Sequence, residues 1–107
     1  MTEHGPNPME VLQRISPEGA RTYMQHRGAI MENAELSALP SKTKLLVGIG
    51  VASALQSERC TLMWTKQARA AGASDAEIVE AILTARLMKA ATVNDAAATA
   101  LEWLQES

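Results

Sequence analysis

The chain has 107 residues and a mass of 11.5 kDa, a size that supports one hydrophobic core and therefore predicts one domain. Ten basic residues against twelve acidic ones, with a net charge of -2, give no electrostatic reason to approach phosphate backbones or anionic lipid, so neither nucleic acid nor membrane is expected as a partner. One cysteine permits no internal disulfide and no four-ligand zinc site, and the start of the chain lacks the basic-then-apolar layout of a secretory leader; together these predict a soluble protein of the reducing cytoplasm.

Nineteen Ala stand against two Trp, one Tyr and no Phe, so each buried side chain removes little surface from water. Folding alone hides roughly 65% of the unfolded surface at this mass. A thin core of that kind predicts self-association.

Residues 1–7 carry Gly5 and Pro6 among polar neighbours without periodicity, and read as a flexible arm that holds His4 and no function. The helical domain is expected over 8–107. Asn7-Pro8 and Ser16-Pro17 each set a capping side chain before a proline, which starts a helix because proline's missing N–H is not needed there. The first start predicts a short turn through Val11 and Leu12. The second predicts a helix with Ala20, Tyr23, Met24, Arg27 and Met31 on one face, ending near Asn33.

Leu39-Pro40-Ser41 breaks that pattern, and Ser41 is a candidate cap for a third helix. Its first turn is basic, through Lys42 and Lys44, which opposes the helix dipole and predicts acidic partners for them. Its body, Leu45 to Ala52, is apolar all round and reads as buried on every side, with Gly48 and Gly50 allowing neighbours to approach closely. The run Leu45 to Leu55 is about half the length of a bilayer crossing. A fourth helix runs from Glu58 to Ala71 with Cys60, Met63, Trp64 and Ala68 on one stripe, and Gly72 stops it. Ser74-Asp75-Ala76-Glu77 has the form of a capping box. Beyond it, Ile78, Ala81, Ile82 and Ala85 make one apolar row and Val79, Leu83 and Leu87 an adjoining one, a face wide enough for two partners. A last helix over about Val93 to Gln105 is expected, with Asn94-Asp95 as its cap.

Three pieces, Leu39-Pro-Ser-Lys-Thr-Lys-Leu-Leu46, Ser57-Glu-Arg-Cys60 and the run from Ala70 to Ile82, followed by an Ala-rich final helix, resemble the AhpD-like/carboxymuconolactone decarboxylase family over roughly two thirds of the chain. The resemblance implies an all-α bundle of about five to six helices that assembles as a homotrimer or homohexamer. Peroxidase members of the family carry a glutamate early in the buried helix, then Cys-x-x-Cys at the start of the next, then a histidine four residues after the second cysteine. Aligned on Cys60, those positions hold Leu45, Ser57 and Trp64. A disulfide relay needs a second thiol, which the Ser57 hydroxyl cannot supply, and Trp64 cannot shuttle protons. The family's decarboxylase branch also tends to carry a histidine at the Trp64 position, so lactone decarboxylation has no better residue support. The family's glycine- and proline-containing link before the last helix is replaced by Lys89-Ala-Ala-Thr92, which leaves the final two helices either continuous or kinked.

Two readings of Cys60 follow. In the first turn of a helix beside Arg59, the dipole favours a thiolate, and peroxide oxidation to a sulfenic acid with reduction by an external thiol becomes possible. Sharing a stripe with Met63 and Trp64, the same thiol is an inert buried hydrophobe, and this reading carries more weight. Glu58 is a candidate base, although the dipole alone accounts for an acidic residue there. Ser57, Trp64, Tyr23 and His26 are candidate pocket or interface residues, with Trp64 favoured as interface filler and His26 as a structural histidine. No metal or cofactor motif is present, so none is expected; the ligand classes that remain are a peroxide or a small organic molecule.

Overall fold

The computed structural model describes residues 5–107; the expectations for His4 and the rest of 1–4 lie outside the described residues. Five α-helices follow one another: α1 (Pro8–Ile15), α2 (Pro17–Met31), α3 (Ser41–Ala54), α4 (Glu58–Ala70) and α5 (Asp75–Glu106), with a 3-10 turn at Ala34–Leu36 between α2 and α3. No strand occurs among the described residues, and the fold is all-α. The helices cluster into two compact units, one ending at Lys44 and the other spanning Leu45–Ser107.

In the first unit the two proline starts are real. Asn7 Oδ1 accepts the Met9 N–H at 2.9 Å, and Ser16 Oγ accepts the Gly19 N–H at 3.1 Å, satisfying donors that the first helical turn leaves unpaired. The expected short turn is a full eight-residue helix. α2 stops at Met31, and Asn33 instead starts the 3-10 turn, its side chain accepting the Glu35 N–H at 3.0 Å. Ser41 is the first residue of α3 rather than its cap; the Lys44 N–H donates to the Pro40 carbonyl at 3.0 Å. Lys44 does not meet the expected acid. Its ammonium donates to the Ile30 carbonyl at 2.7 Å and to that of Leu36. The last carbonyls of a helix lack intrahelical partners and carry the negative dipole end, so a lysine that opposes its own helix serves the end of the preceding one.

In the second unit Leu45, Ile49, Ala68, Ala73 and Ile78 are buried. α3 is not buried on every side: Leu45 and Ile49 face inward while Val47 and Val51 stand exposed. Both glycines of α3 are contact points. A Cβ on residue 48 would overlap the Trp64 ring, and one on residue 50 would lie 3.4 Å from the Ala81 carbonyl oxygen and 3.7 Å from the Ala85 Cβ. The close approach at Gly50 is to backbone, as expected; at Gly48 the Trp64 indole packs against the helix instead.

α4 ends in a Schellman turn. Gly72, at φ 97°, sends its N–H to the Arg69 carbonyl at 3.1 Å, and the Ala73 N–H reaches the Ala68 carbonyl at 2.9 Å, with Ala68 and Ala73 making the buried apolar pair that accompanies this motif. The capping box is complete: Ser74 Oγ accepts the Glu77 N–H at 3.1 Å and Glu77 Oε1 accepts the Ser74 N–H at 2.8 Å. α5 then runs 32 residues without interruption. The two final helices are therefore one, and Asn94 and Asp95 lie inside it rather than capping a second. Nothing in Lys89-Ala-Ala-Thr92 breaks the ladder, since each residue has an N–H to donate and none needs a positive φ.

Candidate functional site

The residues singled out on α4 are positioned by the three-residue link, Leu55-Gln56-Ser57, that joins it to α3. α3 also ends in a Schellman turn, with the Gln56 N–H on the Ser53 carbonyl at 3.1 Å and the Ser57 N–H on the Ala52 carbonyl at 2.9 Å. The left-handed position is filled by Gln56 at φ 63°, the only non-glycine with positive φ among the described residues. A side chain costs energy there that glycine avoids. Ser57 closes one helix and opens the next: its Oγ accepts the Cys60 N–H at 3.3 Å, and its carbonyl accepts the Thr61 hydroxyl at 2.7 Å.

Cys60 is therefore the third residue of α4, in the first turn where unpaired N–H groups converge. Its thiol is free and exposed. The buried-hydrophobe reading does not hold for this chain, because the stripe is covered at Trp64, where the indole packs on Gly48, and at Ala68, which is buried, but not at Cys60. Met63, on the same side, is itself exposed.

Beside the link lies an open concavity of about 500 Å³. Ser57, Thr61 and Thr65, at successive turns of α4, line one side; Leu62, Glu58, and Ser53 and Gln56 from the end of α3 complete it. Ser53 donates to the Gly50 carbonyl at 2.9 Å, so its hydroxyl and that of Thr61 turn acceptor lone pairs outward. Cys60 and Trp64 are not part of the lining; α4 presents them on a different face. The candidate residues thus divide. Ser57 and Glu58 belong to the concavity, Cys60 is exposed beside it, and Trp64 packs on α3. Tyr23 and His26 are both exposed on α2, in the first unit.

Gln56, Ser53, Thr61 and Thr65 were not singled out from the sequence. The i, i+4, i+8 spacing of hydroxyls at Ser57, Thr61 and Thr65 is a signal that marks one helix face in advance. Nothing in the residue type marks Gln56. Among the described residues no group of three or more His, Cys, Asp or Glu side chains is placed to hold a metal ion, and no helix is long and apolar enough to cross a membrane.

Compared with known proteins, the chain matches the carboxymuconolactone decarboxylase family over residues 17–106. No curated protein and no solved structure matches it.

Proposed function

The chain belongs to the carboxymuconolactone decarboxylase family, and on that premise we propose that it is an AhpD-like thiol redox protein of peroxiredoxin type, acting through the single thiol of Cys60 in a reducing cytoplasm. One observation carries the reading: Cys60 is exposed in the first turn of α4, where a helix favours negative charge. With Ser57 in place of a second cysteine, the cycle is a one-cysteine cycle. The Cys60 thiolate attacks the terminal oxygen of a hydroperoxide; an S–O bond forms, the O–O bond breaks, and the alcohol leaves with a proton, giving a sulfenic acid. Glu58, two residues earlier in the same turn, is the candidate acid–base group. An external thiol then displaces water to form a mixed disulfide, and a second external thiol frees Cys60 and leaves as part of the oxidised reductant.

A second reading is a non-catalytic oligomer that binds a small molecule or a protein segment. It is favoured by the concavity at the α3–α4 link, which includes Ser57 and Glu58 but leaves out the thiol. In both readings the chain works as a homotrimer or homohexamer, in keeping with the many large apolar side chains that one chain leaves exposed. Lactone decarboxylation rests on the family's name alone and gains no residue here.

The test is peroxide consumption by the full chain with a small dithiol as reductant, comparing wild type with Cys60→Ser. Thiol-dependent turnover that the substitution abolishes is the expected result. Equal, background-level rates in both proteins would remove the redox reading and leave the binding one.

A further inference from the structure

α5 runs on past the helix it packs against. Ala81 and Ala85 meet α3 at Gly50, and α3 stops soon after, at Ala54, while α5 continues. Where α3 ends, an open cleft of about 250 Å³ lies between Ser53 and Gln56 on one side and α5 on the other. Ile82 and Ala85 give its α5 wall an apolar surface, and Arg86 and Lys89 give it two positive charges. Nothing in the described chain neutralises them. Neither side chain has a hydrogen bond or ion pair among the described residues. The helix positions three and four residues from Arg86 hold Ile82, Leu83, Lys89 and Ala90, and those from Lys89 hold Ala85, Arg86, Thr92 and Val93. None is acidic, and two like charges one turn apart repel. The end of α3 does not use them either, because its carbonyls are taken: Val51 by the Leu55 N–H and Ala52 by the Ser57 N–H, both at 2.9 Å, and Ser53 by the Gln56 N–H at 3.1 Å. The chain carries twelve acidic residues against ten basic ones, yet no acid lines this cleft.

We propose that this cleft binds a small organic anion, an oxyanion group carried on a short apolar body. A guanidinium offers paired donors that match two oxygens of a carboxylate or a phosphate ester, and the Lys89 ammonium adds a point charge beside it. Ile82 and Ala85 take the apolar body. The volume falls below the roughly 300–1,000 Å³ of pockets for drug-sized ligands, so the body is about the size of one ring. Two cations beside an apolar wall suit a single anionic group; a polyanion needs a row of them. Gln56 supplies a neutral donor through its amide. It stands at φ 63°, where glycine would be free of strain, and its side chain borders both this cleft and the concavity beside Ser57. Cys60 and Glu58 are absent from the cleft lining, so the anion site is separate from the proposed thiol chemistry and rests on neither reading of it.

The test is calorimetric titration of the full chain with benzoate, phenyl phosphate, inorganic phosphate and benzyl alcohol, at low and at high salt. The proteins are wild type, Arg86→Gln/Lys89→Gln and Gln56→Gly, with helicity followed by circular dichroism. Wild type is expected to bind benzoate or phenyl phosphate saturably, one per chain, and more weakly at high salt because both charges are exposed. Whichever of the two binds more tightly tells a carboxylate from a phosphate ester. The double variant is expected to lose about tenfold in affinity with helicity retained, and Gln56→Gly about threefold, although glycine relieves the backbone there and leaves the fold no weaker. No saturable binding of either organic anion overturns the site. Benzyl alcohol binding as tightly as the anions overturns the role of charge, and inorganic phosphate binding as tightly as phenyl phosphate overturns the apolar body. An anion affinity that the double variant leaves unchanged moves the binding elsewhere and overturns this cleft. Should the double variant lose helicity, Gln56→Gly decides: an unchanged affinity overturns the proposal.

Discussion

The links α3–α4 and α4–α5 close on the same pair of backbone hydrogen bonds, and both open the next helix with a serine cap. They differ in length, since Ser57 both closes one turn and caps the next helix while Ala73 and Ser74 divide those roles, and at two further positions. The left-handed residue is Gly72 in one and Gln56 in the other. The third residue of the following helix is Glu77 in one, where it completes a capping box, and Cys60 in the other, where the serine N–H is already held by the Ala52 carbonyl. At α4–α5 each local choice favours stability. At α3–α4 the left-handed Gln56 gives up a little stability, and a free thiol and an open concavity lie beside it. A local departure from the stabilising choice thus falls at the link that carries the proposed site, as expected where a site competes with its scaffold.

That contrast can be broken most directly at the stable link. Gly72→Ala is expected to cost about 1–2 kcal/mol, because the cost is conformational: a Cβ there meets nothing within 4 Å. A fall of about 4–8 °C in Tm per kcal/mol makes it readable by thermal melting. An unchanged Tm would mean that the left-handed turn is not held in solution.

Next in size are the two caps. Ser74→Ala removes half of a reciprocal box and is expected to cost about 1 kcal/mol or more, against about 0.5 kcal/mol for Ser57→Ala, whose bond to Cys60 is the longer at 3.3 Å. Urea midpoints at constant m-value rank them; equal losses would contradict the contrast. The smallest change runs the other way. Gln56→Gly is expected to stabilise by about 0.5–1 kcal/mol through relief of the left-handed backbone. A loss on that substitution would show that the Gln56 side chain makes a contact worth more than its strain.

What was legible in the sequence was local. The Ser74–Glu77 box, the Gly72 stop, the Asn7 and Ser16 caps and the position of Cys60 in a first turn all depend on residues within a few positions of one another. The all-α fold followed from the same periodicities, and the family from motifs whose spacing the helices preserve. Contacts across sequence were not legible. Lys44 reaches carbonyls 14 and 8 residues back, and Trp64 settles on Gly48, because packing rather than pattern decides them. Asn94 and Asp95 resembled a cap since their side chains favour helix ends, yet no breaker precedes them and the helix runs through. The exposure of Cys60 turned on which part of its stripe α3 covers, a matter of geometry alone.

The account stands or falls on the chemistry of Cys60, and intact-mass spectrometry after one equivalent of hydroperoxide measures it. A gain of one oxygen is predicted, mapped to Cys60 by a sulfenic-acid trap, reversed by added thiol and absent from Cys60→Ser. A Cys60 that stays unmodified while free cysteine in the same solution is oxidised would contradict it.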